Sequence, residues 1–142
     1  VHLLMGVNDI SVGDPPAVVL QELGHVARML GRSLRWGGGL ASVRLVLQAI
    51  MPLGHGTPRT PSRWSPDNSN FKYVTAVNQG LRGLAVQLAQ EGFSVRLVDC
   101  EQWLLEGGRG GMVVAKNFFD GLHPTKRGYE HWAECLRQAH RS

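Results

Sequence analysis

The 142-residue chain is 43% hydrophobic and 18% charged, a balance that excludes a disordered polymer and suits one globular domain with its own core. Its net charge of +4 comes from basic residues scattered along the chain, with no basic run and no interleaved aromatic platform, so no nucleic-acid partner is expected. No apolar run approaches about 18 residues, so no transmembrane segment is expected.

Val1 to Met5 is short and apolar and meets Gly6, the pattern of a buried strand in a parallel sheet. A domain seldom starts inside its own strand, so the natural protein is expected to extend upstream of Val1. Gly6-Val7-Asn8-Asp9-Ile10 reads as a polar elbow. Asp14-Pro15-Pro16 is a helix start, with Asp as cap and Pro in the first turn. Val19, Leu23, Val26, Leu30 and Leu34 then recur at helical spacing, predicting a helix of about 18–20 residues that ends at Gly37-Gly38-Gly39.

Ser42 to Met51 predicts a second strand. Pro52 through Asp67 is a Pro-, Gly- and Ser-rich loop of about 16 residues, long enough to wall a binding site. Asn70 to Gln90 predicts a second helix, with Val74, Val77, Leu81, Leu84 and Leu88 on one face and Gly92 as its stop. Phe93 to Asp99 is a third strand. A Gly-rich link, Gly107 to Gly111, follows. Pro124 or Thr125 opens a last helix with Tyr129, Trp132, Ala133, Leu136 and His140 as its inner face. Strand–helix–strand–helix–strand–helix predicts an α/β fold with a parallel sheet and right-handed crossovers. In such sheets the site lies at the carboxyl ends of the strands.

Two polar motifs stand where that rule places chemistry. The first is Gly6-x-Asn8-Asp9. Gly6 permits a sharp turn and a close substrate approach. The Asn8 amide is a donor suited to a developing oxyanion, an interaction worth ~3 kcal/mol in a transition state. Asp9 would hold the segment by accepting backbone N–H groups. A plain turn would use the same residue types. The second motif is Asp120-x-x-His123. A carboxylate at i and an imidazole at i+3 can meet across one turn, which fixes the tautomer and leaves Nε2 free as a base. A helix-capping Asp beside a surface His is the plainer alternative. Asn8 and His123 are expected to face one cavity, with Asp120 behind the imidazole.

Together these motifs resemble blocks III and V of the SGNH (GDSL-type) hydrolases: Gly6-x-Asn8-Asp9, then Asp120-x-x-His123-Pro124 with Gly128-Tyr129 leading into the final helix. The link between them, with Met51-Pro52, Asn78 and Val98-Asp99, is similar to the branch containing the platelet-activating-factor acetylhydrolase α subunits. The resemblance covers essentially the whole chain. It implies a three-layer α/β/α, flavodoxin-like fold with a parallel sheet, of which residues 1–142 would be the C-terminal three strands and their helices, a single partial domain. It further implies His123 as general base, Asp120 as its orienter, Asn8 as oxyanion donor, and Gly6 and Asp9 as shapers of that loop. The reaction would be hydrolysis of a small-molecule acyl or acetyl ester, or a thioester, through an acyl-enzyme, with no metal or organic cofactor.

Two elements of the family pattern are lacking, the nucleophile block and the block II Gly that supplies an oxyanion N–H, so two of the three oxyanion donors are missing with the nucleophile. The nucleophilic Ser lies in a Gly-Asp-Ser block ahead of the Gly-x-Asn-Asp block, and none of the eight serines here follows Gly-Asp at a strand exit. Ser11 is nearest to Asn8 but is expected to point along the loop. Without the upstream strands, Val1–Met5 would be an exposed apolar edge and the isolated chain marginally stable.

Other residues carry weaker signals. His55 and Trp64 lie in the long loop, where contact with substrate competes with a solvated or packing role. Trp103 suits an acyl pocket or satellite packing. His25 and His131 read as helix-surface residues. Cys100 and Cys135 are too few for a disulfide framework and lack metal-ligand spacing, and Cys100 reads as a buried inert thiol. With no visible leader, the two cysteines favour a cytoplasmic location. A homo-oligomer paired through the edge strand is compatible with the sequence. The alternative to a hydrolase is a non-catalytic α/β binding module or degenerate homologue. A flavodoxin-like nucleotide binder would need a phosphate loop that is not seen.

Overall fold

In the computed structural model, which describes residues 1–36, 44–51, 69–106, 112–113, 116–120 and 122–141, the first apolar stretch forms strand β1 (His2–Leu3). A short helix α1 (Val7–Val12) and a long helix α2 (Pro16–Trp36) follow. Strand β2 is Arg44–Gln48, helix α3 is Ser69–Gln90 and strand β3 is Ser94–Val98. The three strands form one parallel sheet in the order β1-β2-β3. Leu3 lies opposite Leu47, and Leu47 opposite Leu97. The fold is therefore α/β with a parallel sheet and flanking helices, as the alternation of patterns predicts.

The chain divides into two compact units, 1–50 with 75–98, and 51–74 with 99–142. In the first, β2 is the middle strand, and Leu45, Val46, Leu47 and Gln48 are all buried. A parallel strand covered on both faces reads as a continuous apolar run, as Leu45 to Leu47 does, with Gln48 as a buried polar exception. Helix α3 contributes Val77, Leu81, Leu84 and Leu88, the face its periodicity marks out. Val74, on the same stripe, is buried as well. Helix α2 buries Val19, Leu23 and Ala27, whereas Val26 and Leu30 are only half-buried. Small residues explain the displaced stripe. Leu20 packs over Gly80 of α3 so closely that a Cβ there would collide with Leu20 Cδ1. After α3, Gly92 takes a left-handed φ of 83°, and the Phe93 N–H donates to the Leu88 carbonyl at 3.0 Å, which ends the helix as expected.

The second unit differs more from expectation. Strand β3 leads into a single-turn helix α4 (Glu101–Leu104), and β4 (Leu105–Glu106) pairs antiparallel with β5 (Met112–Val113). Two-residue strands have too short a pattern to be read from sequence. Leu104, Leu105 and Phe118 form its buried cluster, with Met51 packed against it. The last helix, α5, is Lys126–Arg141. Its buried positions are Gly128 and Cys135, while Tyr129 is 53% exposed and Ala133 and His140 are also outward. Trp132 and Leu136 are half-buried, so the expected inner face lies about one position out of phase, because Gly128 has no side chain to mark it as an inward position.

A covalent link lies on that buried side. Cys100 and Cys135 form a disulfide, with Cα atoms 5.8 Å apart. This corrects the reading of Cys100 as a free thiol. Cys100 is buried, at 3% exposure, but its sulfur is spent on a bridge. Among the described residues no helix is long and apolar enough to cross a membrane. The long loop with His55 and Trp64, the triglycine and the Gly107–Gly111 link lie outside the described residues.

Candidate functional site

The turn before α5 brings Asp120 and His123 together. His123 Nδ1 and Asp120 Oδ2 are 2.6 Å apart. A carboxylate only accepts, so Nδ1 is the nitrogen that donates, and in the neutral ring this leaves the lone pair on Nε2. The other carboxylate oxygen, Oδ1, accepts the backbone N–H groups of Leu122 at 2.9 Å and His123 at 2.7 Å. One side chain therefore builds the turn and aims the ring. Partial burial pushes the Asp120 carboxyl up, but the His123 N–H, the imidazole and the Leu122 N–H outweigh it and hold the group below its ordinary value of 3.8. Asp120 is thus a carboxylate at neutral pH.

Local chain geometry pins this turn at its base. Phe118 and Pro124 form an antiparallel bridge, and the Phe119 N–H donates to the His123 carbonyl at 3.2 Å. Phe118 points into the buried cluster at 1% exposure, while Phe119 points out at 60%. Below the bridge, the Thr125 N–H donates to the Asn117 carbonyl at 2.8 Å and its hydroxyl to the Lys116 carbonyl at 2.6 Å. The same hydroxyl accepts the Gly128 N–H at 3.2 Å, so Thr125 is the N-cap of α5. Asn117 is buried and its amide reaches the Leu104 carbonyl at 3.4 Å. The imidazole itself stays open, with 60% of its side chain exposed against 28% for Asp120.

Gly6, Asn8 and Asp9 lie in the first unit, at the carboxyl end of β1. The expected elbow is a helix. Gly6 adopts a left-handed φ of 108° and Gly13 a φ of 104°, bracketing the six residues of α1. Ile10, fully buried, anchors that helix, and its N–H donates to the Gly6 carbonyl at 3.0 Å. Burial of one isoleucine and two left-handed glycines explain why a turn-like sequence closes into a helix. Gly6 is also constrained in space: a Cβ would sit 2.8 Å from Val19 Cγ1 and 3.2 Å from Ile50 Cδ1. Asn8 is exposed and Asp9 half-buried. Asp9 ties the segment through its backbone, whose carbonyl accepts the Asp14 N–H at 3.0 Å. Ser11 is committed locally, its hydroxyl donating to the Asn8 carbonyl at 2.8 Å.

Beneath Gly6, Ile50 is held by a residue whose role the sequence did not reveal. The Asn78 side chain of α3 accepts the Ile50 N–H and donates to the Ile50 carbonyl, both at 2.8 Å. An amide inside a helix takes the part of a neighbouring strand just past the end of β2. The sequence marks Asn78 only as part of the link between the two motifs, not as a partner of Ile50. Among the other candidates, Trp103 is half-buried on α4, His25 is exposed, and His131 accepts a 3.4 Å bond from Arg127 Nε. Among the described residues no group of three or more His, Cys, Asp or Glu is placed to hold a metal ion.

The profile of the GDSL-like lipase/acylhydrolase family matches residues 1–136. No curated protein matches the chain. Among solved structures, a Streptococcus pneumonia protein provisionally described as a platelet activating factor is similar at a TM-score of 0.75 and 20% identity, over 97% of this chain and 57% of that one. A GDSL-like lipase from Bacteroides thetaiotaomicron is similar at 0.70 and 15% identity, over 97% of this chain and 60% of that one. A carbohydrate esterase of family 3 from Talaromyces cellulolyticus is similar at 0.62 and 20% identity, over 95% of this chain and 53% of that one. The chain thus spans little more than half the length of the structures it matches. At these identities the likeness is one of fold.

Proposed function

The chain belongs to the GDSL-like lipase/acylhydrolase family, and from that premise we propose that it carries the base and orienter of a serine-type ester hydrolase. The observation that carries this reading is the 2.6 Å contact of His123 Nδ1 with an Asp120 carboxylate that is itself fixed by two backbone N–H groups. The profile match crosses both compact units, which supports reading residues 1–142 as part of one hydrolase domain.

In this mechanism a serine hydroxyl attacks the carbonyl carbon of a small-molecule acyl or acetyl ester, and its proton passes to His123 Nε2. Asp120 stabilises the imidazolium. The carbonyl oxygen takes up negative charge, and the Asn8 amide donates to it, with Gly6 and Asp9 shaping the helix start that presents it. The tetrahedral adduct collapses, His123 returns the proton to the leaving alcohol, and water then cleaves the acyl-enzyme by the same route. No residue of this chain is assigned as the serine. No cofactor enters these steps.

A non-catalytic binding module on the same fold is the second reading. It draws support from Ser11, the serine nearest Asn8, whose hydroxyl is occupied by the Asn8 carbonyl. Hydrolysis of p-nitrophenyl acetate by the natural full-length protein separates the two. The His123→Ala variant is expected to lose at least ~10³-fold in kcat. Equal rates would remove the hydrolase assignment and leave the binding module. The Cys100–Cys135 bridge supports an oxidising compartment, against the cytoplasmic expectation.

A further inference from the structure

Building on the proposed role of His123, we infer that Phe119 is a positioning residue that fixes the plane of the catalytic imidazole. The Phe119 and His123 rings are stacked, with centroids 5.6 Å apart and planes 18° from parallel. Phe119 is also 60% exposed, although it follows a phenylalanine that is buried at 1%. An aromatic ring held in water beside a titratable ring contributes little to a core. Its geometry has another use.

The hydrogen bond that aims an exposed imidazole does not by itself fix its plane. The Asp120 contact fixes Nδ1, but the ring remains free to swing about the Nδ1···Oδ2 line, and 60% of the His123 side chain faces solvent. That swing would move Nε2, the atom that must meet the nucleophile within about 3 Å. A parallel aromatic face removes this freedom, because tilting the imidazole breaks the stack. The backbone makes the pairing local: the Phe119 N–H donates to the His123 carbonyl at 3.2 Å, so the two rings project from facing positions of one small bridge. When His123 takes the proton, the cation lies over the Phe119 face, where the ring quadrupole favours it. Both effects act on the transition state more than on substrate binding.

The test compares Phe119→Leu and Phe119→Tyr with the parent in the natural full-length protein. Phe119 is exposed, so its replacement leaves the buried cluster intact. In p-nitrophenyl acetate hydrolysis, Phe119→Leu is expected to lower kcat roughly three- to tenfold with KM unchanged, and Phe119→Tyr to restore it. By NMR, the His123 ring protons should carry an upfield ring-current shift that disappears in Phe119→Leu and persists in Phe119→Tyr. An unchanged His123 resonance in Phe119→Leu would overturn the stack. Full activity of Phe119→Leu beside an inactive His123→Ala would overturn this role alone. A fully active His123→Ala would overturn the hydrolytic reading and this role with it.

Discussion

Cys100 and Cys135, joined by a disulfide, stand on either side of Asp120 and His123 in the chain. The bridge closes a segment 35 residues long that contains the whole dyad turn, Phe119 included. It ties the residue just before α4 to the buried side of α5, so it limits how far the Asp120–His123 segment can open when the chain is strained. Cross-linking a segment of this size contributes about 2–4 kcal/mol in the chain-entropy picture. Urea unfolding with and without reductant should show a loss of that order. The Cys100→Ala/Cys135→Ala double variant should match the reduced parent and be insensitive to reductant. A parent whose midpoint ignores reductant would show that the bridge is not formed in solution.

Gly128 lies against the Asn117 backbone beneath the turn. A Cβ at 128 would collide with the Asn117 backbone oxygen and reach Pro124 Cβ at 3.0 Å. The obstructing atom is main chain, and the same oxygen already accepts the Thr125 N–H, so it cannot move away without loss. Gly128→Ala is therefore expected to destabilise by about 1–3 kcal/mol, although alanine is the better helix former. Gly83, on α3, supplies the control, since a Cβ there meets nothing within 4 Å. Gly83→Ala should be neutral or stabilising by up to about 1 kcal/mol. Thermal melts of the two variants, read side by side, check the difference.

Asp120 makes the turn sensitive to acid. Its folded pKa lies below its ordinary value of 3.8, so the unfolded chain takes up a proton first as pH falls. The stability it contributes is complete well above pH 3.8 and is lost as pH drops through the lower folded value. Urea midpoints measured from pH 6 down to pH 2 should fall for the parent more steeply than for Asp120→Asn below about pH 4. Asn keeps an oxygen for the Leu122 and His123 N–H groups but presents an amide to the ring, which favours the wrong tautomer. The same variant should lose ~10⁴-fold in ester hydrolysis by the full-length protein while retaining its fold. Parallel acid profiles would show that Asp120 is not the depressed carboxyl.

The strands of the first unit and the two long helices, α2 and α3, were legible because their signals are local and repeated. Helix α3 declares itself by Val77, Leu81, Leu84 and Leu88, four buried residues at one spacing. Strand β2 declares itself by the apolar Leu45-Val46-Leu47 at its centre. The pairing of Asp120 with His123 was legible for a similar reason: both residues sit within one turn, and the carboxylate that aims the ring also folds the turn.

What the sequence could not settle depends on residues far apart in the chain. The elbow after β1 became helix α1 because Ile10 found a buried place and Gly6 a left-handed one against Val19 and Ile50. Asn78 proved to be the clamp on Ile50, 28 positions away, and no local pattern marks such a pairing. Two cysteines 35 residues apart became a bridge, which lies on the inward face of α5. Local composition dictates which segments coil or extend, since that is decided within a few residues. Which side chain meets which is decided by packing, and packing exists only in three dimensions.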